Sequence, residues 1–268
     1  MPTSPADPLR MPAEWAEHEL TLIAWPQREE AWRDTTIEAA RDTHAEVIAT
    51  VSEFEPVLVI ADPSQEADAR KRCPQSNVEV LPLPIDDSWL RDSGPIIVTG
   101  EDGDRAGVDF AFNAWGEAFS PYRNDAAISS RILDHLDIER FIEPMILEGG
   151  SIAVDGEGLL VTTEQCLLNP NRNPDLDRHT IDAELCRALG LERVVWLEKG
   201  LVEDADTDGH VDNICAFLEP DRVLLQTVND PADPNYEGSR ENVRRLEAAG
   251  IEVVEWELLP RITREDGE

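Results

Sequence analysis

Lysine is almost missing from this chain. Only Lys71 and Lys199 stand among 23 basic residues, against 57 acidic ones. With a formal net charge of -34 there is no basic footprint for nucleic acid. Cysteine is sparse too: Cys73, Cys166, Cys186 and Cys215 form no C-x-x-C pair. Scattered thiols of this kind read as small buried side chains rather than disulfides or metal ligands. The longest apolar runs, such as Val57–Ala61, fall far short of the ~20 residues that span a bilayer. No basic segment followed by an apolar one marks a secretory signal, and neither a phosphate loop nor a zinc spacing occurs. These absences predict a soluble cytoplasmic protein with neither nucleic acid nor a membrane as partner, and leave homo-oligomer formation open.

An acidic excess spread along a whole chain repels itself at low salt, and in molar salt the Debye length of about 3 Å removes most of that repulsion. The composition therefore reads first as adaptation to a high-salt, halophilic cytoplasm. It is compatible with a cationic substrate without identifying one.

Hydrophobic periodicity organises the chain. Ile37, Ala40, Ala45, Ile48 and Val51 make an apolar stripe on a helix predicted over Asp34 to Phe54, with Asp34 as its N-cap. Val57 to Ile60 reads as a buried strand. From Gly94 onwards an order of strand, strand, helix, strand recurs. Its helices lie near Asn124 to Leu136, Asp175 to Leu189 and Tyr236 to Ala249, and the last copy opens with a strand over His210 to Phe217. Their ends are roughly 50 to 60 residues apart, the mark of like units that bury their faces by stacking on neighbours. A ring is the natural arrangement, but Leu258 to Thr263 opens no complete further copy, so the ring is expected to be incomplete.

Three segments carry the candidate chemistry: Ile85 to Pro95, Leu147 to Ile152 and Asp206 to Asn213. In the last, His210 and Asp212 stand at i and i+2, on one face of a strand or extended loop. Histidine is the default general acid/base near neutral pH, and its acidic neighbours Asp206, Asp208 and Asp212 favour a functional role over a core one. Asp92 projects from a turn beside Trp89, which is either core or a stacking surface for a flat cation. Glu148 precedes Gly149-Gly150, which leaves room for close backbone approach; a solvent-facing turn explains it about as well. Asn169 to Pro174 is a turn-rich loop before a helix that reads as a connector, with a substrate-facing loop as the alternative. Together Asp92, Glu148, Asp206 and Asp212 around His210 suit a delocalised cation such as guanidinium.

These segments, with Met11 to Trp15, Ala24-Trp25-Pro26, Phe112 to Gly116 and Thr162 to Pro174, resemble the agmatine deiminase family. It is also described as the bacterial-type peptidylarginine deiminase family, within the guanidino-group-modifying pentein superfamily. The resemblance implies an α/β fold, a pentein-type propeller of repeated ββαβ units, and cofactor-free hydrolysis of agmatine to N-carbamoylputrescine and ammonia on the route to putrescine and polyamines. It implies that Asp92 and Asp212 hold the guanidinium, that Glu148 pairs with the acid/base His210, and that Trp89 lines the pocket. Asp206 stands where many members carry a glutamate for the far amino group. The family's nucleophilic cysteine lies in a Gly-Gly-Gly-Asn-Ile-His-Cys segment without counterpart here. Residues 1–268 are thus expected to form a single pentein catalytic domain that lacks the nucleophile and is inactive as it stands. Two other readings stay open: a metal-dependent hydrolase with His210, Asp212, Asp92 and Glu148 as ligands, and a non-catalytic guanidine-binding protein.

Overall fold

In the computed structural model, which describes residues 9–32, 35–100 and 103–259, the strands fall into four three-stranded sheets. The first holds β1 (Thr21–Ala24), β2 (Val57–Ala61) and β3 (Val78–Pro82), all parallel. The second holds β4 (Ile96–Thr99), β5 (Arg105–Ala111) and β6 (Glu139–Ile146). The third holds β7 (Ile152–Val154), β8 (Leu159–Thr163) and β9 (Arg193–Leu197), and the fourth β10 (Cys215–Glu219), β11 (Arg222–Thr227) and β12 (Glu252–Glu257).

In each of these last three sheets the first pair is antiparallel and the second parallel. Antiparallel neighbours need only a tight turn, whereas a parallel pair requires a crossover. The turn between β7 and β8 shows the first case: Gly156 and Gly158 take φ of 80° and 107°, and the Asp155 carboxylate accepts N–H bonds from Glu157 and Leu159 at 2.7 and 3.0 Å. The crossovers are the helices Ile128–Leu136, Arg178–Leu189 and Tyr236–Ala248. The first two end on a left-handed residue, Asp137 and Gly190, which stops the helix and turns the chain back to the sheet.

The repeat read from the sequence is therefore present. Strand β8 is buried throughout and joins neighbouring sheets: Leu160 packs in one cluster with Ile96, Val108 and Met145, while Val161 packs in another with Val223 and Leu225. A strand covered on both faces has no polar side to show, hence the run Leu-Leu-Val-Thr-Thr.

Several expectations need correction. The first helix spans Ile37–Val51 and is capped by the Thr36 hydroxyl, which accepts the Ala39 N–H at 3.1 Å; Asp34 lies outside the described residues, as does the stretch from residue 260 onward. Strands β1 and β3 were not expected, being short and half-buried with no clean alternation. The strand expected over His210 to Phe217 begins only at Cys215, because Val211–Asn213 forms a 3-10 turn.

That last correction positions the site. Short helical turns at Leu90–Ser93, Gly149–Ser151 and Val211–Asn213 each stand just before the first strand of a unit, β4, β7 and β10. The middle turn packs against the other two. Three short turns in equivalent places, one α-helical and two 3-10, thus deliver Asp92, Glu148 and Gly150, and His210 with Asp212, to one place.

Candidate active site

Asp92 lies within the Leu90–Ser93 turn and is 8 % exposed. Its Oδ1 accepts the Gly150 N–H at 2.9 Å and its Oδ2 accepts the Trp115 Nε1–H at 3.0 Å. Burial pushes its pKa up, and His210 with these donors offsets only part of that rise. Trp115 is held for this contact by an unusual backbone: its φ is 55°, uncommon for a bulky residue, in a turn where the Asn113 side chain accepts the Gly116 N–H at 2.9 Å.

His210 is buried and sits among three carboxylates. Its Nδ1 is 3.7 Å from Asp92 Oδ1 and 4.0 Å from Asp212 Oδ1, and its Nε2 is 3.8 Å from Glu148 Oε2. These separations are electrostatic contacts rather than hydrogen bonds, and Nε2 has no hydrogen-bond partner. Burial opposes the imidazolium, but Glu148, Asp92 and Asp212 together outweigh it and raise the pKa of His210. Asp212 is itself raised, by burial first and by Asp92, against the pull of His210 and Arg91.

The loop that presents His210 is organised by Asp204. Its carboxylate accepts from the backbone N–H groups of Thr207, Gly209 and His210 at 3.0, 3.1 and 3.0 Å, and from Asn213 Nδ2 at 3.1 Å. Burial alone raises a carboxylate, yet the Thr207 hydroxyl, which donates to it at 2.5 Å, and the backbone and Asn213 donors hold Asp204 below its ordinary value. The acidic run therefore divides its labour: Asp204 ties the loop, Asp206 faces the cavity, and Asp208 pairs with Arg172.

Glu148 is wholly buried, behind His210. Gly150 explains the paired glycines. A β-carbon there would stand 2.6 Å from His210 Nδ1, 2.7 Å from Asp212 Oδ2 and 2.8 Å from Asp92 Oδ1. Trp89, Asp92, Trp115, Asp206, His210 and Asp212 open onto a cavity of ≈ 1330 Å³. Trp89 is half exposed there. Every residue expected from the sequence is in this one region. Those missed are Trp115 and Asp204, which orient functional groups, and Arg172, whose segment reads as a connector.

The metal-hydrolase alternative meets a different geometry. Among the described residues, the donor atoms that converge are those of Glu148, Cys166 and His210, within 4.8 Å of one another, without Asp92 or Asp212. These donors do not suit a divalent cation. Burial and the Glu148 charge raise the Cys166 thiol well above its usual range, so it is neutral. Arg172 Nε already donates to Glu148 Oε1 at 2.7 Å, setting a fixed cation against the same carboxylate.

Residues 10–258 match the Porphyromonas-type peptidyl-arginine deiminase family. The chain belongs to that family. Its deiminase-family relatives include the agmatine deiminases of Ectopseudomonas mendocina, 43 % identical over 92 % of this chain and 68 % of that one, and of Pseudomonas fluorescens, 44 % identical over 87 % and 64 %. The chain spans about two thirds of the length of these relatives. Among solved structures it is similar to the agmatine deiminase of Enterococcus faecalis, with a TM-score of 0.88 and 30 % identity over 96 % of this chain and 73 % of that one. The C. jejuni agmatine deiminase with substrate bound gives a TM-score of 0.87, again at 30 % identity, over 97 % and 77 %. The α/β pentein fold follows from these likenesses. No helix among the described residues is long and apolar enough to cross a membrane.

The wall of this deiminase-family cavity also carries a pH-sensitive brace. Asp125 Oδ1 accepts the Asp86 and Asp87 N–H groups at 2.7 and 3.2 Å, fixing the loop that leads to Trp89. Burial pushes Asp125 up to about 6, against those two hydrogen bonds. Between the unfolded value near 3.8 and the folded value near 6, the native state binds the extra proton. Stability from Asp125 is thus present below about pH 4 and lost as pH rises through about 6. Asp125→Asn, which keeps the accepting oxygen, is expected to raise stability at pH 7.5 by about 1–3 kcal/mol and to flatten the pH 4–6 slope, read by urea denaturation at each pH.

Proposed function

We propose that this site takes agmatine, by its guanidinium end, in the deiminase reaction that yields N-carbamoylputrescine and ammonia. The observation that carries the reading is the gathering of Asp92, Glu148 and Asp212, from three successive units, around the buried imidazole of His210 at 3.7 to 4.0 Å. A cation entering such a place needs fixed counter-charge, since an unpaired buried ion costs several kcal/mol. Asp92 and Asp212 supply it and orient the guanidinium plane, with Trp89 stacking at the entrance and Asp206 facing the amine end.

His210, held charged by its neighbours, gives its proton to the departing ammonia and, once neutral, takes one from the incoming water. The first transfer requires that a thiolate has already added to the guanidinium carbon, so that ammonia leaves a covalent thiouronium; the second lets water add to that carbon and release the thiolate. None of the four thiols of this chain lines the cavity. Cys166 is raised well above its usual range, Cys215 to about 12 and Cys73 to about 11, in each case by burial first. These residues therefore supply recognition and proton transfer without the nucleophile, and the chain is expected to bind agmatine without steady turnover.

Calorimetry with agmatine, run beside an ammonia-release assay, tests both halves. Saturable binding without ammonia supports the proposal. Absence of binding overturns the substrate reading, and steady ammonia release abolished by His210→Ala overturns the statement about the nucleophile.

A further inference from the structure

The segment Asn169 to Asn173 puts a cation where the reaction scheme has no use for one. Arg172 has a side chain with 0 % exposure, as does Glu148, and its Nε donates to Glu148 Oε1 at 2.7 Å. Both terminal nitrogens are also engaged. Nη1 reaches Asn171 Oδ1 at 2.7 Å and Asp208 Oδ2 at 2.6 Å, and Nη2 reaches the Thr207 carbonyl at 3.1 Å. Thr207 and Asp208 belong to the loop that delivers His210. One guanidinium therefore bolts the carboxylate behind the imidazole to the segment that carries the imidazole.

The other face of Glu148 is bounded with equal economy. Oε2 is 4.0 Å from the Cys166 sulfur and 3.8 Å from His210 Nε2. Cys166 sits on the Glu164–Leu167 turn, fixed by its N–H to the Thr163 hydroxyl, which in turn donates to the Gly209 carbonyl at 2.7 Å. With Oε1 occupied by Arg172, only Oε2 can face the imidazole. A buried carboxylate without such a partner takes up a proton or turns away.

We propose that Arg172 is a positioning residue of this site: by engaging Oε1 and the His210 loop together it holds the Glu148 carboxylate in place and aims Oε2 at His210 Nε2. The role rests on the deiminase reading for its purpose, but not for its test. Lysine is a poor substitute, because a single ammonium cannot make the fork of contacts to Glu148, Asp208 and the Thr207 carbonyl.

The test is an NMR titration of the His210 imidazole in the full chain, with no substrate present. Arg172→Met is expected to lower the His210 midpoint by about one pH unit, since Glu148 Oε2, which favours the imidazolium, is no longer held beside Nε2. Glu148→Gln is expected to lower it in the parent and to add nothing in the Arg172→Met background. Arg172→Lys, which keeps a charge without the fork, is expected to fall between parent and Arg172→Met. A folded Arg172→Met protein with an unchanged or raised midpoint overturns the proposal. Should that variant not fold, Arg172→Lys decides: a midpoint equal to the parent's overturns it. A purely structural arginine changes stability but leaves the midpoint in place. Failure of agmatine to bind would reject the substrate reading and leave this result untouched.

Discussion

Asp92→Asn is expected to weaken agmatine binding by about 2–4 kcal/mol, roughly a 30- to 1000-fold rise in Kd. The substitution keeps size and shape, so the loss isolates charge and hydrogen-bond polarity. Asp92 uses both oxygens as acceptors, one for Gly150 N–H and one for Trp115 Nε1–H. An asparagine satisfies only one of them and turns its amide hydrogens on the other, while the guanidinium loses a counter-charge. Calorimetry gives the Kd, and near-UV circular dichroism monitors the packing of Trp115. A Kd within threefold of the parent would remove Asp92 from the binding surface.

Gly150→Ala is expected to cost about 100-fold in agmatine affinity, the scale on which a displacement of about 1 Å acts in a preorganised site. Its three close neighbours, at 2.6 to 2.8 Å, are the polar atoms of His210, Asp212 and Asp92. His210 and Asp92 are buried and tied by hydrogen bonds of their loops, so neither moves aside without breaking them. Gly150 is not among the residues with positive φ, which makes the effect one of space and not of backbone strain. A variant that binds agmatine as the parent does would show that the three groups do not have to converge so tightly.

Much of the fold was legible because it repeats. Like units with like spacing place strand, strand, helix and strand in a fixed order, and the turn at Asp155 to Gly158 announces its hairpin in its glycines. Strands β1 and β3 were not legible, since four or five half-buried residues carry no period that distinguishes them from loop. The site was legible where carboxylates, histidine and tryptophan cluster along the chain, and all of Trp89, Asp92, Glu148, Asp206, His210 and Asp212 lie in one region.

The geometry behind that convergence was less accessible. His210 and Asp212 do not share a strand face. Val211–Asn213 is a 3-10 turn in which the Asp204 carboxylate gathers backbone N–H groups from several positions. Side-chain capping of that sort competes with strand formation, and Asp204 lies outside the segment from Asp206 that reads as functional. Arg172 is hidden in the same way. A lone arginine between asparagines and prolines gives no local sign that it is buried, since its partners Glu148 and Asp208 are 24 and 36 positions distant.

The claim on which the account depends is that three units of the repeat grip one flat cation beside His210. A crystal structure of this chain with agmatine tests it most directly. The expected density places the guanidinium nitrogens within about 3.2 Å of the Asp92 and Asp212 carboxylates, with the chain running past Trp89 towards Asp206. Guanidinium density elsewhere on the protein, with Asp92 and Asp212 left to water, would contradict it.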